Sequence, residues 1–148
     1  MITTLVDVES IAGDHTGPSR AVLEYTLVMK RIIDSAKEPG FDESSWGPLA
    51  GLVDRDAFIR VGPFKDEMTW PEYVAFLTGW APRRHWECSF RRITEKGNVV
   101  FLELEERSQP GDSSVAANSL SVYELDDAGR IRHLDVYLQM PAPAGASK

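Results

Sequence analysis

The chain has 148 residues, 43% of them hydrophobic and 26% charged, with 16 basic and 23 acidic side chains and a net charge of −7. That length suits one domain around one core, and the negative balance argues against a nucleic-acid partner, which needs a basic surface to release counterions from phosphate. No apolar run nears the roughly 20 residues that span a bilayer, and the acidic start "MITTLVDVES" lacks the basic and apolar regions of a signal peptide, so no membrane partner is expected and the expected location is cytoplasmic.

One domain is expected over residues 1–148, with its core over about 19–140. Residues 1–17 and the tail "PAPAGASK" lack periodic apolar positions and are expected to be ordered only where something holds them. From Ser19, the spacing of Val22, Leu23, Tyr25, Thr26, Met29, Ile32 and Ile33 predicts an amphipathic helix with Ser19 as its N-cap, ending before Pro39-Gly40. A short helical pattern around Leu49 to Val53 leads through Asp54–Asp56 into a strand, "AFIRV". A second helix is predicted in "TWPEYVAFLTGWA", with Thr69 as cap, Pro71 early and Glu72 in the first turn.

Three strands then follow, "HWECSFRRI", "VVFLELEERS" and "SLSVYEL", separated by "TEKGN" and "QPGDSS". A last strand, "RIRHLDVYLQM", comes after the turn "DDAG". Helices followed by a four-strand meander indicate an α+β fold. A curved sheet of this kind can wrap around helices and leave an enclosed pocket.

Two strands leave their facing open. In "VVFLELEERS", Phe101, Glu103 and Glu105 share one face and Val100, Leu102 and Leu104 the other. A half-buried sheet turns the leucines inward, while a one-residue bulge would turn the glutamates inward. The last strand sets His133, Asp135, Tyr137 and Gln139 against Leu134, Val136 and Leu138. The single cysteine, Cys88, excludes an internal disulfide and reads as a small core residue. There is no glycine-rich phosphate loop, no GxSxG and no HExxH, and no ligand pair has metal-binding spacing, so no metal is expected.

The element order, the segment "LVDRDAFIRVGP" and the ending "YELDDAGRIRHLDVYLQ" resemble the SnoaL-like branch of the nuclear transport factor 2-like (NTF2-like) superfamily, over roughly residues 19–140. The resemblance implies a conical α+β fold, helices packed in a strongly curved sheet around a pocket, chemistry without a cofactor, and a homodimer over the outer sheet face. By position, His85 and Asp34 look like the histidine–aspartate pair of scytalone dehydratase and related dehydrochlorinases, although Ser89 stands where those enzymes have asparagine. Tyr25 matches the oxyanion-binding tyrosine of the ketosteroid isomerases, a phenol that donates to an oxygen gaining negative charge. Ser121 matches their second donor, and Val61 stands where their catalytic aspartate would be. Against limonene epoxide hydrolase, Glu103, Glu105 and Asp135 fall on or beside its acid–arginine–acid set.

Candidate catalytic residues are thus His85, Asp34, Tyr25, Glu103, Glu105 and Asp135, with Trp80, Trp86, Phe101 and Ser121 as candidate substrate-binding residues. They point to an acid/base enzyme of the lyase or isomerase class acting on a small, hydrophobic, ring-bearing molecule. The alternative is a non-catalytic module of the same fold, binding a hydrophobic ligand or another subunit.

Overall fold

The computed structural model describes residues 3–4, 8, 11–107 and 116–142. Helix α1 (Gly17–Asp34) buries Val22, Leu23, Tyr25, Thr26, Met29, Ile32 and Ile33, the periodic set of the sequence. It begins two residues before the expected cap. Gly17 adopts φ +64°, and Ser19 lies in the first turn. The Ser19 amide and hydroxyl both donate to Glu95 Oε1, at 3.0 and 2.7 Å. A carboxylate from the sheet therefore does what a local cap would do for this helix start.

A 3₁₀ turn (Glu43–Trp46) runs into the one-turn helix α2 (Gly47–Ala50). Helix α3 (Trp70–Trp80) starts where the sequence indicates: Glu72 Oε1 accepts from the Thr69 amide and hydroxyl, both at 2.9 Å, and Pro71 occupies the first turn. Aromatic side chains of this helix pack on Phe58, whose ring lies 5.3 Å from Trp70 and 6.1 Å from Tyr73.

Three short strands, β1 (Thr3–Thr4), β2 (Ile59–Val61) and β3 (Glu67–Thr69), join four long ones, β4 (Glu87–Lys96), β5 (Val99–Arg107), β6 (Ala117–Leu125) and β7 (Ile131–Gln139). They form one seven-stranded sheet in the order β1-β4-β5-β6-β7-β2-β3, whose centre is the expected meander. Two features go beyond the sequence reading. β2 lies parallel to β7 and forms a hairpin with β3, and β1 pairs with β4. The N-terminal segment also delivers Val8 and Ala12 to the core. The tail beyond residue 142 lies outside the described residues, as does the whole loop "QPGDSS".

The bulge falls in β4, between Phe90 and Arg92. Cys88 faces the helices before it and Ile93 after it, so the shift keeps apolar side chains inside on both sides of the irregularity. β5 runs unbroken opposite β6 and turns Val100, Leu102 and Leu104 inward. The inward faces of β6 and β7 add Tyr123, Leu125, Ile131 and Leu134, and α1 fills the concave side. This is an α+β architecture in which the curved sheet wraps around helices.

Candidate functional site

Inside the sheet's concave face lies a cavity of about 110 Å³. α1 supplies Tyr25, Thr26 and Met29, α3 supplies Tyr73, β2 supplies Arg60, and the entry to β4 supplies Trp86. The sheet closes it with Leu104 and Glu106 from β5, Ser121 and Tyr123 from β6, and Leu134 and Val136 from β7. A second, more open chamber of about 300 Å³ shares Met29, Arg60, Tyr73, Trp86, Glu106 and Val136 with the first and adds an apolar rim that includes Ile33, Phe76, Leu77, Trp80 and Leu138. The two form an inner chamber and its vestibule. A larger depression of about 610 Å³, beside Trp46, Arg55 and Pro71, shares no residue with either and opens on the outer surface.

Three polar groups distinguish the inner chamber. Glu106 continues the inward alternation of Val100, Leu102 and Leu104, and its Oε1 accepts from Trp86 Nε1 at 2.8 Å. Arg60 stands opposite Leu134 on the inward side of β2, its guanidinium carbon 5.0 Å from the centre of the Tyr73 ring. Its ion partner among the described residues, Asp66, is 3.9 Å away and half-exposed, and its buried Nε has no hydrogen-bond partner. Tyr25, 2% exposed, has a buried hydroxyl that is likewise unpartnered among the described residues. Burial pushes the Tyr25 phenol well above the ordinary tyrosine range; Tyr73 and Tyr123 reinforce this and Arg60 opposes it. Tyr25 is accordingly a neutral hydrogen-bond donor, packed edge-on against Tyr123 with ring centres 5.8 Å apart.

No family model matches the chain, and no curated protein matches it. Solved structures do. A steroid delta-isomerase from Pseudomonas aeruginosa is 16% identical with a TM-score of 0.59, the match covering 84% of this chain and 81% of that one. An NTF2-like protein of unknown function from Cytophaga hutchinsonii is 16% identical with a TM-score of 0.54, over 84% and 92% of the two chains. The chain has the NTF2-like fold. A computationally designed 17-OHP binder shares it at 12% identity and a TM-score of 0.60, over 82% of this chain and 94% of the design.

Within this NTF2-like cone, Tyr25, Ser121 and Trp86 line the inner chamber, and Trp80 and Trp86 the vestibule. The expected His85–Asp34 pair does not form. Lys30 takes Asp34 at 2.6 Å, one turn along the same helix, and also donates to the Trp86 carbonyl at 2.7 Å, filling the gap between helix end and strand. His85 instead meets Glu87 at 2.7 Å, partly exposed and away from both chambers.

Glu103, Glu105, Phe101 and Asp135 all sit on the outer face of the sheet: β5 alternates without a bulge opposite β6, and in β7 the irregularity between Ile131 and His133 lets both Ile131 and Leu134 face inward, which leaves Asp135 outside. Glu103 pairs there with Arg92, Glu105 with Arg107 at 2.8 Å, and Asp135 with His133 at 3.2 Å. Sequence reasoning missed Glu106 and Arg60. The alternation that buries Leu102 and Leu104 reaches Glu106 at its next step, and Arg60 is the lone charge in "AFIRV"; those were the available signals. Among the described residues, no three of His, Cys, Asp and Glu gather as a metal-holding group, and no helix is long and apolar enough to cross a membrane.

Proposed function

We propose that the chain transfers a proton, without a cofactor, on an apolar small molecule carrying a carbonyl group. Glu106 takes a proton from the carbon beside the carbonyl; the C–H pair becomes a C=C bond and the carbonyl π pair moves to oxygen, where the Tyr25 hydroxyl donates a hydrogen bond. Glu106 then returns the proton to carbon. The observation that carries this reading is the presence of an acid and an unpartnered buried phenol on the walls of one small chamber, with an apolar vestibule leading to it.

The test is exchange of the benzylic hydrogens of phenylacetone in D₂O, followed by proton NMR. The native chain should accelerate exchange over buffer, Glu106→Gln should lower that acceleration by at least about 10²-fold, and Tyr25→Phe by a comparable factor. No acceleration by the native chain, with phenylacetone or with its carboxylate analogue phenylpyruvate, would remove the catalytic reading.

A second reading is non-catalytic binding of a hydrophobic ligand in the same chambers. It is favoured by the hydrogen bond that already engages Glu106 with Trp86. It requires a ligand bound with no exchange at all.

We also propose a homodimer over the outer sheet face. Tyr137, 58% exposed, projects there beside Leu120 and Val122, flanked by charged pairs that a second copy could meet in register.

A further inference from the structure

Arg60 is placed where a cation is costly to leave alone: its side chain is 15% exposed, its buried Nε has no hydrogen-bond partner among the described residues, and the ion partner found among them stands 3.9 Å off on the β3 side of the hairpin. Glu106 shares the chamber, yet it is held by Trp86 and makes no ion pair with Arg60 within 4.0 Å among the described residues. Tyr25 offers a second donor, neutral where Arg60 is charged, whose hydroxyl makes no hydrogen bond within 3.5 Å among the described residues. Tyr73 links the two, its hydroxyl neighbouring Tyr25 and its ring lying under Arg60.

Two donors of unlike charge, Arg60 Nε and the Tyr25 hydroxyl, stand in one chamber without a hydrogen-bond partner among the described residues, and they suit two acceptors of unlike charge. A carboxylate satisfies the guanidinium through a charge-assisted bond, and a ketone oxygen on the next carbon satisfies the phenol. One cation beside one carboxylate suits a single negative charge rather than the double charge of a phosphate. The rest of the molecule must fit among Trp80, Trp86, Phe76 and Leu138 in the vestibule. We propose that the chamber takes 2-oxo acids with an aryl or branched-alkyl body, the carboxylate on Arg60 and the keto oxygen on Tyr25.

This rests on the proton-transfer reading for its chemistry and assigns its substrate class. Carbon 3 gives its proton to Glu106, the electron pair forms the C2=C3 bond, and the keto oxygen carries the charge under Tyr25. In D₂O the proton on Glu106 exchanges with solvent, and a deuteron returns to carbon 3. No oxidant or reductant enters.

Phenylpyruvate and phenylacetone separate the two ideas, since they differ only in a carboxylate against a methyl group on the ketone. For each, the exchange rate with protein is divided by its own rate in buffer. The acceleration should be about 10-fold or more larger for phenylpyruvate. Arg60→Gln should bring the ratio of accelerations close to one, and Arg60→Lys should keep part of it. Equal acceleration of both compounds by the native chain, or a preference that survives Arg60→Gln, would overturn the proposal while leaving Glu106-dependent proton transfer intact. Conversely, if calorimetry shows Arg60-dependent binding of phenylpyruvate over phenylacetone and neither compound exchanges faster than in buffer, acid recognition holds and the proton-transfer reading fails. If neither compound binds or exchanges, both fail.

Discussion

Three glutamates within four residues of β5 meet two different fates, and geometry decides each. Glu103 and Glu105 face outward onto arginines, while Glu106 faces the chamber and a tryptophan. Opposite Glu106 sits Cys88, where burial pushes the thiol up from 9.0 to about 12, reinforced by Glu106 and opposed by Lys30 and Arg107. The folded chain thus keeps this proton after the unfolded chain has released it. The contribution is intact below pH 9 and declines as pH rises toward 12, by up to about 1.4 kcal/mol per pH unit. The buried phenols of Tyr25, Tyr73 and Tyr123 join it above pH 10 with the same sign. Urea unfolding at successive pH values should show stability falling from about pH 9, and Cys88→Ala should delay that onset to about pH 10. An unchanged onset would show that the thiol is not shielded as described.

At the level of elements, the contact between Glu95 on β4 and the first turn of α1 joins the sheet to the helix. The two Ser19 hydrogen bonds hold the Glu95 carboxyl below its usual 4.5. A depressed carboxyl stabilises above the unfolded value and loses that stabilisation as pH falls through its folded value. Glu95→Ala should lower stability by about 1 kcal/mol at neutral pH, on the scale of a lost cap, and the difference from the native chain should narrow below pH 4; thermal unfolding at both pH values checks it. Elements of this kind were partly legible in the sequence. The meander, α1 and α3 each carry a full period of two or 3.6 and, at Thr69–Glu72, a capping signal. Strand β2 falls within the expected strand "AFIRV", but β3 is too short to show alternation, and the placement of the hairpin depends on a parallel pairing with β7, some seventy residues away. That pairing carries Arg60 into the chamber, so the site was harder to read than the fold around it. The bulge at Phe90–Arg92 carries no local signal in the sequence, since it shows only in the pairing of β4 with β5.

Across the whole molecule, the sheet divides labour between its faces. The concave side holds the chambers; the convex side holds paired charges around exposed Tyr137. If that convex side is the contact between two copies, sedimentation at micromolar concentration should give twice the mass of one chain, and Tyr137→Asp should return it to one chain without changing the circular dichroism. A native chain sedimenting singly would exclude the contact.

The hairpin that carries Arg60 has a further bearing on how a ligand gets in. Gly62 donates to the Asp66 carbonyl at 2.8 Å, the Asp66 carboxylate packs where a methyl group on Gly62 would stand, and Pro63, next in line, sits on the vestibule wall. Door and latch are therefore one short ribbon: lifting β2 away from β7 would withdraw the positive charge and widen the entrance in a single motion. Amide hydrogens of residues 59–61 should exchange faster than those in the middle of β5, and slow markedly once a carboxylate occupies Arg60.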